Sequence, residues 1–206
     1  MKATKNIIIM LFMTITMNAH AQSASEFATQ FNGQEGMQYH NMTSFVEEVR
    51  KHLDAMRNNG TPGQMPPGVP TIEEFKAFYA KIKTAEVVFT EAGPRAMRLH
   101  GSIRTLKDYV PLITYADGIE EPTFEDGPDN VRRMQLPASY RVPGYVYQAY
   151  GRVSDQNVIS DLIIFTVTPN NATATSVTGN MNIEDLKMFY NMMQSLQTQR
   201  SEQERP

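Results

Sequence analysis

Three consecutive β-rich runs, Tyr145 to Val153, Val158 to Thr168 and Ala172 to Thr178, most restrict the folds open to this chain. Each is dense in Val, Ile, Tyr, Phe and Thr, whose branched or planar side chains suit a pleated surface. The breaks between them, Asp155-Gln156-Asn157 and Pro169-Asn170-Asn171, are too short for a parallel crossover. The runs must therefore pair as antiparallel neighbours. Ala85 to Thr90, with Val87, Val88 and Phe89, is a further short strand that ends at the Gly93-Pro94 break.

Helical periodicity supplies layers for this sheet. Met42, Phe45, Val46, Val49, Leu53 and Met56 recur at three- and four-residue steps, which predicts a helix from about Ser44 to Arg57 with Thr43 as its cap. Ile72, Phe75, Phe78, Tyr79 and Ile82 predict a second helix, capped by Thr71 with Glu74 closing a capping box. Ile103, Leu106, Val110 and Ile113 have helical spacing, but Pro111 removes a backbone donor, so a helix here is short or kinked. Ile183, Leu186, Phe189, Tyr190, Met193 and Leu196 predict a closing helix capped by Asn182. The fold expected is α+β: an antiparallel sheet of about four strands with helices packed on one face, two N-terminal helices and one C-terminal helix.

The chain opens with Lys2 and Lys5, an apolar run from Ile7 to Met17, and Ala19-His20-Ala21, the three parts of a cleavable secretory leader over residues 1–21. The run is about eleven residues long, whereas a membrane-spanning helix needs about twenty. Cleavage after Ala21 would leave Gln22 first, and no later stretch is apolar enough to span a bilayer. The chain has no cysteine. That removes lipoprotein anchoring, disulfides and thiol chemistry together. Without Lys2 and Lys5 the remaining 17 basic and 22 acidic residues give a net charge of −5, which argues against nucleic acid as a partner. The expected location is periplasmic or extracellular.

Residues 22–40 are polar and weakly periodic, and are expected to form a flexible lead-in. Residues 41–196 are expected to form a single domain with two surface insertions. Asn58 to Pro70 holds three Gly, four Pro and two Asn, a composition that supports neither helix nor strand. Asp117 to Pro143 is acidic and then punctuated by Pro122, Pro128, Pro137 and Pro143. Residues 197–206 form a polar tail.

Four segments carry a family resemblance: Lys83-Thr84-Ala85-Glu86-Val87-Val88-Phe89, then Tyr115-Ala116-Asp117-Gly118, then Val158-Ile159-Ser160-Asp161-Leu162-Ile163-Ile164-Phe165, then Val177-Thr178-Gly179-Asn180-Met181-Asn182-Ile183-Glu184-Asp185-Leu186. Over roughly Thr71 to Met193 the chain resembles a family of small exported domains of unknown function common in Bacteroidota. The resemblance implies a non-enzymatic envelope protein and transfers no catalytic residues.

The residues themselves point to no catalytic, cofactor or metal site. His40, His52 and His100 lie in different segments, with no pair at the spacing that puts two imidazoles on one helical face. Ser102, Ser139, Ser154, Ser160 and Ser176 all lie outside a Gly-x-Ser-x-Gly elbow. Asp117, Glu120, Glu121, Glu125, Asp126 and Asp129 could offer oxygens to calcium, but Pro122 and Pro128 interrupt them and the alternating spacing of an EF-hand is absent. Gly179-Asn180 is read as a turn and helix cap in preference to an anion nest. Tyr140, Tyr145, Tyr147 and Tyr150 are read as sheet packing in preference to an aromatic binding surface. The functional expectation is a non-catalytic envelope protein that binds a protein or a small ligand without a cofactor. A hydrolase with a dispersed acid or serine site and a calcium-stabilised surface module are the alternatives.

Overall fold

A computed structural model describes residues 22–58, 71–141, 144–154, 156–188 and 190. The leader, most of the Asn58 to Pro70 loop and the polar tail lie outside the described residues. The fold is α+β. The meander forms as its breaks require: β7 (Val146–Val153), β8 (Ile159–Val167) and β9 (Asn171–Met181) are successive antiparallel neighbours. The Ser154 amide donates to the Val158 carbonyl across the first turn (2.9 Å), and the Thr168 amide donates to the Asn171 carbonyl across the second (2.8 Å).

Beyond β9 lies β2 (Ile82–Glu91), longer than the strand expected from Ala85 to Thr90, and beyond β2 lies β1 (Met37–Asn41). A two-residue strand, β3 (Val110–Pro111), pairs with β7 at the other edge. The sheet thus has six strands in the order β1-β2-β9-β8-β7-β3, where about four were expected.

Both faces of this sheet are covered, which corrects the expectation of helices on one face. Along β8, Leu162 and Ile164 enter one apolar cluster while Ile163 and Phe165 enter the other. The first cluster is roofed by α2 (Thr43–Asn58), α3 (Ile72–Lys81) and α5, made of helical residues 183–188 and 190. Val46, Phe78, Ile183 and Leu186 are their buried anchors. The second cluster is roofed by α1 (Ala24–Thr29) and α4 (Pro94–Arg104), which bury Phe27, Ala96, Leu99 and Ile103.

Local chemistry fixes the helix ends. Thr71 and Glu74 form the expected capping box on α3. Asn182 accepts from the Asp185 amide (3.1 Å) while the Asp185 carboxylate accepts from the Asn182 amide (2.7 Å), so α5 starts with the same reciprocal device. Asp185 also pairs with Lys81 at 2.8 Å, tying the end of α3 to the start of α5. Thr43 is not a cap: its hydroxyl accepts from the Ala85 amide (3.1 Å) and pins α2 to β2.

Three more expectations are corrected. The 22–40 segment is integral, because α1 buries Phe27 completely, Phe31 follows it into the core and β1 completes the sheet. The helix sought across Ile103 to Ile113 ends at Arg104 and starts earlier, at Pro94, a residue that suits the first helical position because its missing amide hydrogen is not needed there. Val110 and Ile113 lie in strands. Finally, the 117–143 segment is not a surface insertion. Its β5 (Thr123–Asp126) and β6 (Arg132–Pro137) join β4 (Ile113–Ala116) in a second sheet of order β4-β6-β5, whose Met134 and Leu136 are fully buried in the first cluster. Arg133 anchors it, donating to the Pro111 carbonyl (2.9 Å) and pairing with Asp129 (2.6 Å).

Candidate functional site

A cavity of about 420 Å³ opens on the α1/α4 side of the large sheet, near its β7–β3 edge. Three elements build it. Helix α4 contributes His100, Ile103 and Arg104; the segment after it contributes Tyr109 and Pro111; β7 contributes Gln148 and Tyr150. His100 and Arg104 are four residues apart and so share one helical face. Gln148 and Tyr150 are two apart and so share one sheet face.

The polar groups are interlocked. His100 Nε2 and the Tyr150 hydroxyl are 2.9 Å apart, and that hydroxyl donates to Gln148 Oε1, also at 2.9 Å. A phenol carries one proton, so with it committed to Gln148 the hydroxyl accepts from His100, placing the imidazole hydrogen on Nε2 and leaving Nδ1 as an acceptor. The imidazole lies flat on Phe165, with ring centroids 4.7 Å apart and planes 4° from parallel. Burial lowers the His100 pKa below its ordinary value; a hydrogen bond with Gln148 opposes this and the nearby Arg104 charge adds to it. Burial and the Arg104 charge thus favour the uncharged ring. Burial raises the Tyr150 pKa, tempered by Arg104.

Behind Tyr109 lies a second network that locks the start of α1. Arg152 donates to the Gln22 carbonyl (2.8 Å), Tyr109 donates to the same oxygen (3.3 Å), and the buried Asp161 accepts from the Ala24 amide (2.9 Å) while pairing with Arg152 (3.3 Å). Burial, then the Asp161 charge, hold the Tyr109 pKa above the ordinary phenol range. The Arg152 guanidinium also lies over the Tyr109 ring, 5.3 Å from its centroid. This wall of the cavity is thus fixed from behind.

The other residues considered from sequence scatter. His40 and His52 are exposed, on β1 and α2. Ser160 donates to Asp161, Ser102 to the Arg98 carbonyl, and Ser154 accepts from the Val158 amide. Ser139 is exposed, and the buried Ser176 oxygen has no hydrogen-bond partner among the described residues. Among the described residues none of these serines bonds a histidine. Asp117, Glu120, Glu121, Glu125, Asp126 and Asp129 are all exposed, and among the described residues no three acidic or histidine side chains converge as metal ligands. Tyr145 is exposed, Tyr147 packs beside Tyr190 on the α5 side, and the Tyr140 side chain lies outside the described residues. Of the described side chains in that set, only Tyr150 lines the cavity.

Gly179 is neither nest nor turn. It lies within β9 opposite Ile82, and a Cβ there would collide with the Lys81 carbonyl oxygen. Glycine is needed for close approach of α3's last turn. A second concavity of about 560 Å³ flanks the β1 edge near His40, Phe89 and Arg95, but its histidine is exposed and has no hydrogen bond to a second wall residue. No family model, curated protein or solved structure matches the chain.

Proposed function

We propose that this chain is an exported, non-catalytic envelope protein that binds a small ligand in the cavity between α4 and β7. The leader-like N-terminus supports export. The observation that carries the binding reading is the His100–Tyr150–Gln148 chain, which presents oriented polar edges over an apolar floor in a space within the size range of small-molecule sites. Among the described residues the walls hold no serine, threonine or carboxylate. What they offer is hydrogen bonding, ring stacking and one positive charge.

The test is native mass spectrometry of the protein purified gently from the envelope fraction, beside a Gln148→Trp variant whose indole would occupy the space. The reading predicts a non-covalent small-molecule adduct on the wild type and its loss from the variant. The same adduct on both, or none on either, would overturn it.

A further inference from the structure

Arg104 has no hydrogen bond or ion pair among the described residues, whereas Arg50, Arg98, Arg132, Arg133 and Arg152 each hold a partner. It lines the cavity, and among the described residues no carboxylate lines the cavity with it. The buried Asp161 is already committed to Arg152 behind Tyr109. A guanidinium without an ion pair, lining a half-enclosed space on a chain whose acidic residues outnumber its basic ones, is an uncompensated positive centre there. Its planar fork matches the two oxygens of a carboxylate.

The rest of the wall defines what the anion would be attached to. Tyr109, Tyr150 and the His100 ring offer aromatic surface, and Ile103 and Pro111 offer apolar surface. From this juxtaposition we infer that the cavity receives a small organic carboxylate, its oxygens on Arg104 and its apolar or planar body against Tyr109 and Tyr150. This rests on the cavity being the binding site and adds the chemical class of the ligand.

The arrangement carries a proton linkage. The groups facing His100 are Arg104 from its own helix, Gln148 and Tyr150 from β7 and the Phe165 ring from β8. Of these only Arg104 is charged, and it opposes protonation of the imidazole. An anion on Arg104 cancels that opposition, so binding favours the protonated imidazole. Affinity for a carboxylate therefore rises as the pH falls through the histidine range, as long as the ligand stays ionised.

The experiment uses benzoate, acetate, inorganic phosphate and benzyl alcohol as probes on the purified protein from cells expressing the full chain. Binding is followed by NMR at the His100, Tyr109 and Tyr150 resonances. Benzoate should bind more tightly than acetate, phosphate or benzyl alcohol, and more tightly at lower pH. Arg104→Gln, at an exposed position where folding is checked by its thermal melt, should weaken benzoate by about 10- to 100-fold and leave benzyl alcohol unchanged, with Arg104→Lys between the two. If benzyl alcohol binds as well as benzoate and Arg104→Gln alters neither, the carboxylate assignment fails while the cavity reading stands. Tighter binding of phosphate than of benzoate also overturns the assignment. If no probe perturbs the three resonances, both readings fall.

Discussion

At Gly179 the Lys81 carbonyl oxygen occupies the place of a Cβ, whereas Gly101, on an exposed turn of α4, has open space there. The two glycines should therefore answer the same substitution with opposite signs. Gly101→Ala should stabilise the protein by about 0.4–1 kcal/mol, since alanine loses less backbone freedom on entering a helix. Gly179→Ala should destabilise it by more than that amount, because the obstructing atom is backbone; denaturant melts would compare them. The same measurement separates roles at the start of α5. Asn182→Ala should cost about 0.5–2 kcal/mol by orphaning the Asp185 amide, and Leu186→Ala about 2–5 kcal/mol by opening a cavity in the core. Met188, only partly buried against that core, should be the most tolerant of truncation next to Leu186. His100 gives a pH signature. Its folded pKa lies below the unfolded one, so its contribution to stability is fully present above the unfolded value and is lost as the pH falls from there through the folded value. His100→Gln should flatten the part of the acid stability profile that this group supplies, as read from urea midpoints across the histidine range.

The elements that the sequence made legible were those with a long repeating pattern or a short polar break. The β7–β8–β9 meander, α3 with its capping box and the Asn182 start of α5 all follow from residues that repeat over several turns or alternate over a full strand. Helix α1 is hard to read from sequence because six residues give its apolar stripe almost no period. Yet Ser23 and Glu26 spell a capping box, and Phe27 and Phe31 stand four apart, which was the available signal. The second sheet was hidden by its prolines: Met134 and Leu136 alternate correctly, but over a single short strand ending at Pro137. The cavity was barely legible. His100 and Arg104 share a helical face by spacing alone, but their meeting with Gln148 and Tyr150 depends on which strand α4 lies across, and no local pattern states that. A direct test of α1 as a core element is Phe27→Ala. It should cost about 3–5 kcal/mol, whereas a loose lead-in would tolerate the change within about 0.5 kcal/mol.

For the whole molecule, the continuous apolar run Leu162 to Phe165 is the feature that requires two covered faces, since alternate residues of a strand point to opposite sides. A three-layer arrangement follows, with the cavity where the smaller helical layer, α1 and α4, leaves the β7 edge open. The proposed export implies that the mature chain begins at Gln22, whose carbonyl is already gripped by Arg152 and Tyr109. Intact mass spectrometry of the envelope form should show Gln22 first, free or cyclised with loss of ammonia; a chain retaining Met1 would remove the basis for export. The central claim is that the α4–β7 cavity binds a small molecule and does not transform it. It is tested most directly by adding the low-molecular-mass fraction of an envelope extract to the isotope-labelled protein and recording both partners by NMR. The account predicts shifts centred on His100, Arg104, Tyr109, Gln148 and Tyr150, with the composition of the added fraction unchanged over time. Shifts elsewhere with none at these residues, or steady consumption of a component that the protein alone causes, would contradict it.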